Sequence, residues 1–290
     1  MFIAARPTLS RFDKAFREDH TRQYHLTIRI GADGLSYALF GNDKQRYLAL
    51  ETWTFIKADT DVRLASALDE AIIQKAWLSY PFQSVLVLID HTYNALVPAP
   101  LYDDKERAVY LAFLQQFKDG SRVAADELKT AGAWNVYYLA NNLIQKIKEI
   151  WANARVVHLT SALIESLLVA NRNQSAEPAA FVYLRGNSFD LTVIAADKLL
   201  FYNNFKARNP EDFLYFLLFA FDQQGLNPET VNLTLLGNIT IDHPVYEAIW
   251  KYIRNVRFAA PNPAFEYSYV LEDVQFHQHH LIFSALQCAL

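Results

Sequence analysis

The sequence predicts a two-lobed α/β protein built by duplication, each lobe a mixed five-stranded sheet with flanking helices. Three observations predict it. A strand–turn–strand–turn–strand pattern occurs twice, as YHLTIRIGADGLSYALFGNDKQRYLALETWTF from Tyr24 and AAFVYLRGNSFDLTVIAADKLLFYNNFKA from Ala179. Both copies are rich in β-branched and aromatic residues with turn formers between them, and each leads into a long helical segment and a short apolar strand. The interval of about 150 residues between them exceeds the ~20–50 residues of a solenoid unit, so it marks duplicated lobes. A length of 290 residues suits two domains with a core each.

The elements follow in order. Residues 1–23 are mixed polar and basic, an N-terminal arm expected to lie against the body or to be partly disordered. The first lobe, 24–171, opens with strands at 24–31, 34–41 and 45–55. Asp59-Thr60-Asp61 gives an acidic start to the amphipathic helix VRLASALDEAIIQKAWL. SVLVLID (84–90) is a continuous apolar strand suited to the middle of a sheet. HTYNALVPAPLYDD reads as a loop punctuated by Pro98 and Pro100, and 104–118 as a helix. A polar connection then leads to strand 134–140, helix 141–151, strand 154–159 and helix 160–171.

The polar stretch NRNQSAEP (171–178) is the expected linker, and the second lobe is taken as 172–290. After the second meander, Asn209-Pro210-Glu211-Asp212 caps helix 213–224, with Pro in the first turn. Strand 231–237, helix 243–255 and strand 256–260 follow, and 275–290 reads as a closing helix that would pack across the lobes.

Composition excludes several classes. Hydrophobic residues make up 52% and charged residues 20%, the balance of an ordinary globular protein. A net charge of −4 favours neither nucleic acid nor an anionic membrane. No apolar run reaches the ~18 residues of a membrane span, and the first residues lack a signal-peptide core. The single cysteine, Cys288, cannot form an internal disulfide, which fits a cytoplasmic protein. Glycine is scarce, 8 residues against roughly twenty at average usage, and phosphate cradles need glycine for close backbone approach.

Three segments carry a resemblance: Ile28-Arg29-Ile30-Gly31 in the first hairpin, Tyr183-Leu184-Arg185-Gly186-Asn187 in the second, and Leu236-Gly237-Asn238 after a later strand. With the order of elements, they make the chain similar to the actin-like ATPase fold, a duplicated ribonuclease H-like topology. It looks like a family of bacterial proteins of unknown function from Bacteroidetes that adopt this fold. Distant relatives by shape would be cell-division and pilus-assembly actin homologues and the cytoplasmic part of type II secretion L proteins.

The resemblance implies three nucleotide signatures, and all are degraded here. Active members carry Asp-x-Gly in the first hairpin, where the carboxylate organises metal-bound water and the turn amides hold phosphate. Arg29 stands at that Asp position and Gly31 remains. In the second hairpin Tyr183 replaces the carboxylate, and Arg185 and Asn187 stand where two glycines would be, leaving Gly186. Gly237 is one of an expected Gly-Gly pair against adenosine. A neutral Tyr or cationic Arg cannot bind magnesium, which takes carboxylate and water oxygens. The degenerate positions are therefore Arg29, Gly31, Arg185, Gly186, Asp190 and Gly237, with ATP and magnesium not expected as cofactors. A slip in alignment would bring Asp33 or Asp190 onto the motif instead; Asp33-Gly34 reads as a hairpin turn, and Asp190 matches a Thr-Asp position after the second phosphate turn.

Other constellations are weaker. The P-loop, dinucleotide, nucleophile-elbow and zincin signatures are absent. His277, His279, His280 and Cys288 have a metal flavour, but the favoured reading is a polar helix start and a buried thiol. Asp90-His91 ends a central strand, either as an acid–base pair opening into the interlobe cleft or, the favoured reading, as a strand-end cap with a solvated imidazole. Arg29 and Arg185 would both face that cleft under pseudo-symmetry and suit an anionic ligand; the favoured reading pairs them with nearby acids. The apolar VPAPLY loop would contact a partner or fold back on the sheet. Together these predict a non-catalytic cytoplasmic scaffold or adaptor with a protein partner. The alternatives are a small-molecule or weak nucleotide binder and an active phosphotransferase.

Overall fold

The repeated meander builds the same sheet twice. The computed structural model describes residues 7–55, 61–113, 119–172 and 177–288. Asp59-Thr60, residues 114–118 of the expected helix, 173–176 of the expected linker and the Cys288 side chain lie outside the described residues. The chain divides into two units: unit 1 comprises 1–163, 263–274 and 281–290, and unit 2 comprises 164–262 and 275–280.

In chain order, unit 1 contains β1 (Leu9–Phe12), β2 (Tyr24–Gly31), β3 (Gly34–Gly41), β4 (Arg46–Thr54), α1 (Asp61–Gln74) and β5 (Ser84–Asp90). It continues with β6 (Asn94–Pro98), α2 (Arg107–Ala112), β7 (Ser121–Leu128), β8 (Ala133–Ala140), α3 (Asn141–Ile150) and β9 (Arg155–His158). The boundary to unit 2 falls inside α4 (Leu159–Asn171). Unit 2 then has β10 (Ala179–Arg185), β11 (Ser188–Ala195), β12 (Lys198–Lys206), α5 (Pro210–Gln223), β13 (Asn232–Gly237), α6 (Pro244–Trp250) and β14 (Asn255–Phe258).

Five strands of unit 1 run β4-β3-β2-β5-β9, and the five of unit 2 run β12-β11-β10-β13-β14. In each, the meander strands pair antiparallel and the later two add in parallel. Alternation assigns the faces, since side chains two apart point the same way. Ile28 and Ile30 of β2, Leu35 and Tyr37 of β3, and Val87 and Ile89 of β5 share one core with Ala67 and Leu68 of α1 and Leu143 and Ile147 of α3. In unit 2, Val182 and Leu184 of β10, Leu191 and Val193 of β11, and Leu233 and Leu235 of β13 pack with Phe213 and Leu217 of α5 and Ile249 of α6. Each large side chain so buried contributes about 1.5–3 kcal/mol. The central strands are buried on both faces, which is why they read as apolar runs.

Three sequence expectations are corrected, for the loop after β5, the polar connection and the closing helix, and two that were left open, for the arm and the VPAPLY segment, are decided. The arm contributes β1, which pairs antiparallel with β4 and extends the first sheet, as does a two-residue strand, β15 (Glu266–Tyr267), parallel to β4. The loop after β5 contains β6, and the polar connection contains β7. Both pair with β8 in a separate three-stranded sheet, order β6-β8-β7. The VPAPLY segment folds back on that sheet: Tyr102 stacks on Trp134 at 4.2 Å between ring centroids. The expected helix 275–290 is instead a 3-10 turn (Phe276–Gln278), the short α7 (His280–Ser284) and a second 3-10 turn (Ala285–Cys288). His277 explains the break, because its buried ring bonds the Ile239 carbonyl oxygen at 2.6 Å rather than facing solvent along a helix.

Candidate functional site: two arginine–aspartate turns

In unit 1, Gly31 and Gly34 form the last pair of the β2–β3 ladder, with Ala32 and Asp33 as the loop. Arg29 lies two pairs further in, on the face opposite the Ile28–Ile30 core. Parallel pairing with β5 sets Asp90 beside Gly31. The guanidinium spans both acids: Nε donates to Asp90 Oδ2 at 2.7 Å, and Nη2 donates to Asp33 Oδ1 and Oδ2 at 2.8 and 3.0 Å. The side chains of Arg29 and Asp90 are only 14% and 3% exposed, whereas that of Asp33 is 65% exposed. Gly31 makes room for this cluster. A Cβ there would stand 2.8 Å from Asp33 Oδ1 and 3.1 Å from Arg29 Nη2.

Unit 2 reaches a similar end by another route. Arg185 and Ser188 close the β10–β11 ladder, and Gly186-Asn187 makes the turn, with Gly186 at φ +46°. Left-handed backbone of this kind suits glycine. Asp190 is wholly buried opposite Tyr183. Its carboxylate accepts from Arg185 Nη2, from Tyr202 Oη at 3.0 Å and from Asn204 Nδ2 at 2.7 Å. The guanidinium also lies 5.4 Å from the Tyr183 ring, within cation–π range. Gly237 ends β13 at φ +81°, and a Cβ there would fall 2.2 Å from the Leu184 carbonyl oxygen. That oxygen accepts from Asn238 N at 2.9 Å, so Gly237 serves the close approach of two strands.

The two arginines are not equivalents. The ladders match Arg29, opposite Ser36, with Tyr183, opposite Asp190, and they match Gly31 with Arg185. Asp90-His91 is not a strand-end cap with a solvated imidazole: Asp90 is buried against Arg29, and half-buried His91 enters a second polar cluster that sequence reasoning missed.

In that cluster the Asp126 carboxylate of β7 accepts from Ser161 Oγ at 2.6 Å, from His158 N at 2.8 Å and from Tyr137 Oη at 3.0 Å. Burial pushes its carboxyl above the usual range, partly offset by these donors. Asn135 Nδ2 donates to Ser161 Oγ at 2.8 Å. His158 Nδ1 accepts from Thr160 N at 3.2 Å, which leaves the proton on Nε2, 3.4 Å from His91 Nδ1. His91 Nδ1 also accepts from Tyr93 N, so its Nε2 donates to the Tyr138 carbonyl oxygen at 2.8 Å. The Ser161 proton is directed at Asp126 and not at an imidazole, so the cluster lacks the serine–histidine relay of a hydrolase. It joins β7 and β8 to β9 and α4. Only His91 carried a sequence signal; Asp126 sits on the strand that read as a connection.

A pocket of about 200 Å³ in unit 2 lies among Asn187, Arg208, Asn209, Phe213 and His243, below the ~300–1,000 Å³ of ordinary ligand sites. Among the described residues no group of three or more His, Cys, Asp or Glu is placed to hold a metal. His277 bonds Ile239, and burial pushes the His280 imidazole down to about 4. No helix among the described residues is long and apolar enough to cross a membrane.

The twin sheets, with the same strand order, define an actin-like fold. Over 92% of its length the chain matches 98% of a Bacteroides thetaiotaomicron protein described as having an actin-like ATPase fold and unknown function, with TM-score 0.78 and 20% identity. It also matches, over 92% of its length, 98% of a chain from the PilM-PilN type IV pilus biogenesis complex, with TM-score 0.57 and 12% identity. The chain belongs to the family described as protein of unknown function, DUF3822, which matches residues 13–256. No curated protein matches it.

Proposed function

We propose that this protein is a non-catalytic actin-like protein, a cytoplasmic scaffold or adaptor for another protein. One observation carries the reading: the carboxylates left near the nucleotide positions are engaged by the chain's own cations. Asp33 and Asp90 hold Arg29, and Asp190 holds Arg185 with two further donors. Magnesium needs carboxylate and water oxygens around it, and a guanidinium on the same oxygens repels it. These residues do not fit a magnesium nucleotide. Of the three glycines that remain, Gly31 and Gly237 have packing reasons of their own, and Gly186 has a left-handed turn conformation. The complex of PilM with PilN offers a precedent for this fold in a protein assembly.

A thermal-shift titration with ATP and ADP, with and without magnesium, tests the reading. Binding at a hundredfold excess over Kd adds about 2.7 kcal/mol of stability. No shift is expected at millimolar nucleotide. A magnesium-dependent shift would sink the proposal and make Asp33 and Asp190 the residues to replace.

A further inference from the structure

We infer that the outer stripe of α5 docks a basic amphipathic helix of a partner protein. This rests on the adaptor reading and adds the chemistry of the partner. Phe213, Leu217, Ala220 and Phe221 are the buried side of α5. Glu211, Tyr215, Phe219 and Asp222 are exposed and recur at helical spacing, forming one stripe about 16 Å long. A helix at a protein surface ordinarily presents polar groups there. Here the two middle positions are aromatic, with Tyr215 64% and Phe219 51% exposed and their rings stacked at 6.2 Å and 15°. Exposed aromatics of this kind are the anchors of protein interfaces.

Charge selects the occupant. Acids bracket the aromatic pair, and α5 contains no Lys or Arg. Glu211 suits the positive helix start, but Asp222 stands in the last turn, where the helix dipole disfavours an anion. A cation supplied from outside would relieve that repulsion. A second copy of the stripe would oppose acids to acids in either direction, which disfavours self-pairing. A helix with apolar residues flanked by Lys or Arg meets both needs, with its apolar side on Tyr215 and Phe219.

The test uses the full chain and a fluorescein-labelled helical peptide with leucines on one face and lysines beside them, followed by fluorescence anisotropy. A scrambled peptide of the same composition is the control. Expected is saturable binding that the scrambled peptide lacks, weakened about tenfold by Phe219→Ala and by Asp222→Lys with thermal midpoints unchanged. Binding should also weaken with added salt. Absence of binding, or equal affinity for the wild type and both variants, would overturn the inference. So would concentration-dependent dimerisation abolished by Phe219→Ala, which would assign the stripe to a second copy. The nucleotide titration keeps the two failures apart: peptide binding lost with no nucleotide shift removes only the docking surface.

Discussion

A methyl group added at position 237 would stand 2.2 Å from the Leu184 carbonyl oxygen, inside any non-bonded contact distance, on a backbone at φ +81°. Gly237→Ala should therefore cost about 3 kcal/mol or more by urea denaturation. Gly186→Ala, at φ +46° with nothing within 4 Å of the new Cβ, should cost only about 1–2 kcal/mol. The Arg29 cluster gives a second contrast. Asp90→Ala strips the buried guanidinium of its buried partner and should cost about 3–5 kcal/mol. Asp33→Ala removes a solvent-exposed partner and should cost about 1 kcal/mol or less; equal losses would mean that Asp90 does not hold the cation. His280 sets a pH dependence. Burial holds its imidazole down to about 4, only partly offset by its hydrogen bond to the Ala260 backbone, while the unfolded ring titrates near 6.5. The unfolded chain thus binds the proton first, so this contribution is complete above about 6.5 and is lost as pH falls toward about 4. His280→Gln should shrink the stability difference between pH 7 and pH 5 by roughly 1–2 kcal/mol, read from denaturation curves at each pH.

At the scale of elements, β1 is short but ties down an edge. Ser10 Oγ donates to the buried Glu51 carboxylate at 2.6 Å, and Phe12 packs edge-on to Trp77 at 6.1 Å. Tyr37 Oη and Trp53 Nε1 also donate to Glu51, at 2.5 and 3.1 Å. Removing residues 1–12 should speed amide exchange in β4 and leave β10–β14 protected; unchanged exchange in β4 would show that β1 contributes little. The four residues of β1 are too few for a periodic pattern, so the sequence presented them only as part of an arm. The half-polar strand SRVAADEL failed for another reason: it lies in a small sheet, and its exposed Arg122 and Glu127, one near each end and on opposite faces, resemble linker residues. By contrast, α5 announced itself. Its Asn209 side chain accepts from Asp212 N at 2.7 Å and Pro210 takes the first turn, as the Asn-Pro-Glu-Asp signature predicts.

For the whole molecule, the repeat itself was the legible signal, because apolar runs bounded by turn residues mark central strands. That Arg29 and Arg185 pair with acids was legible, but the particular polar partners were not. Asp126 and His158 meet through a fold that brings residues 32 positions apart together, and Asp90 reaches Arg29 across 61. The core around β2 in unit 1 and the core around β13 in unit 2 predict local effects. Ile28→Ala should remove about 2–5 kcal/mol from unit 1 and Leu235→Ala a similar amount from unit 2. Exchange protection should fall mainly in the unit that carries the change, and loss spread evenly over both would refute the division. The ladder position of the two arginines also decides what a swap between the hairpins would do. One stands opposite Ser36, two rungs in from its turn, and the other opposite Ser188, on the closing rung. Matched rung for rung, Arg29 falls on Tyr183 and Gly31 on Arg185, so exchanging the residue at a single matching rung transplants neither ion pair.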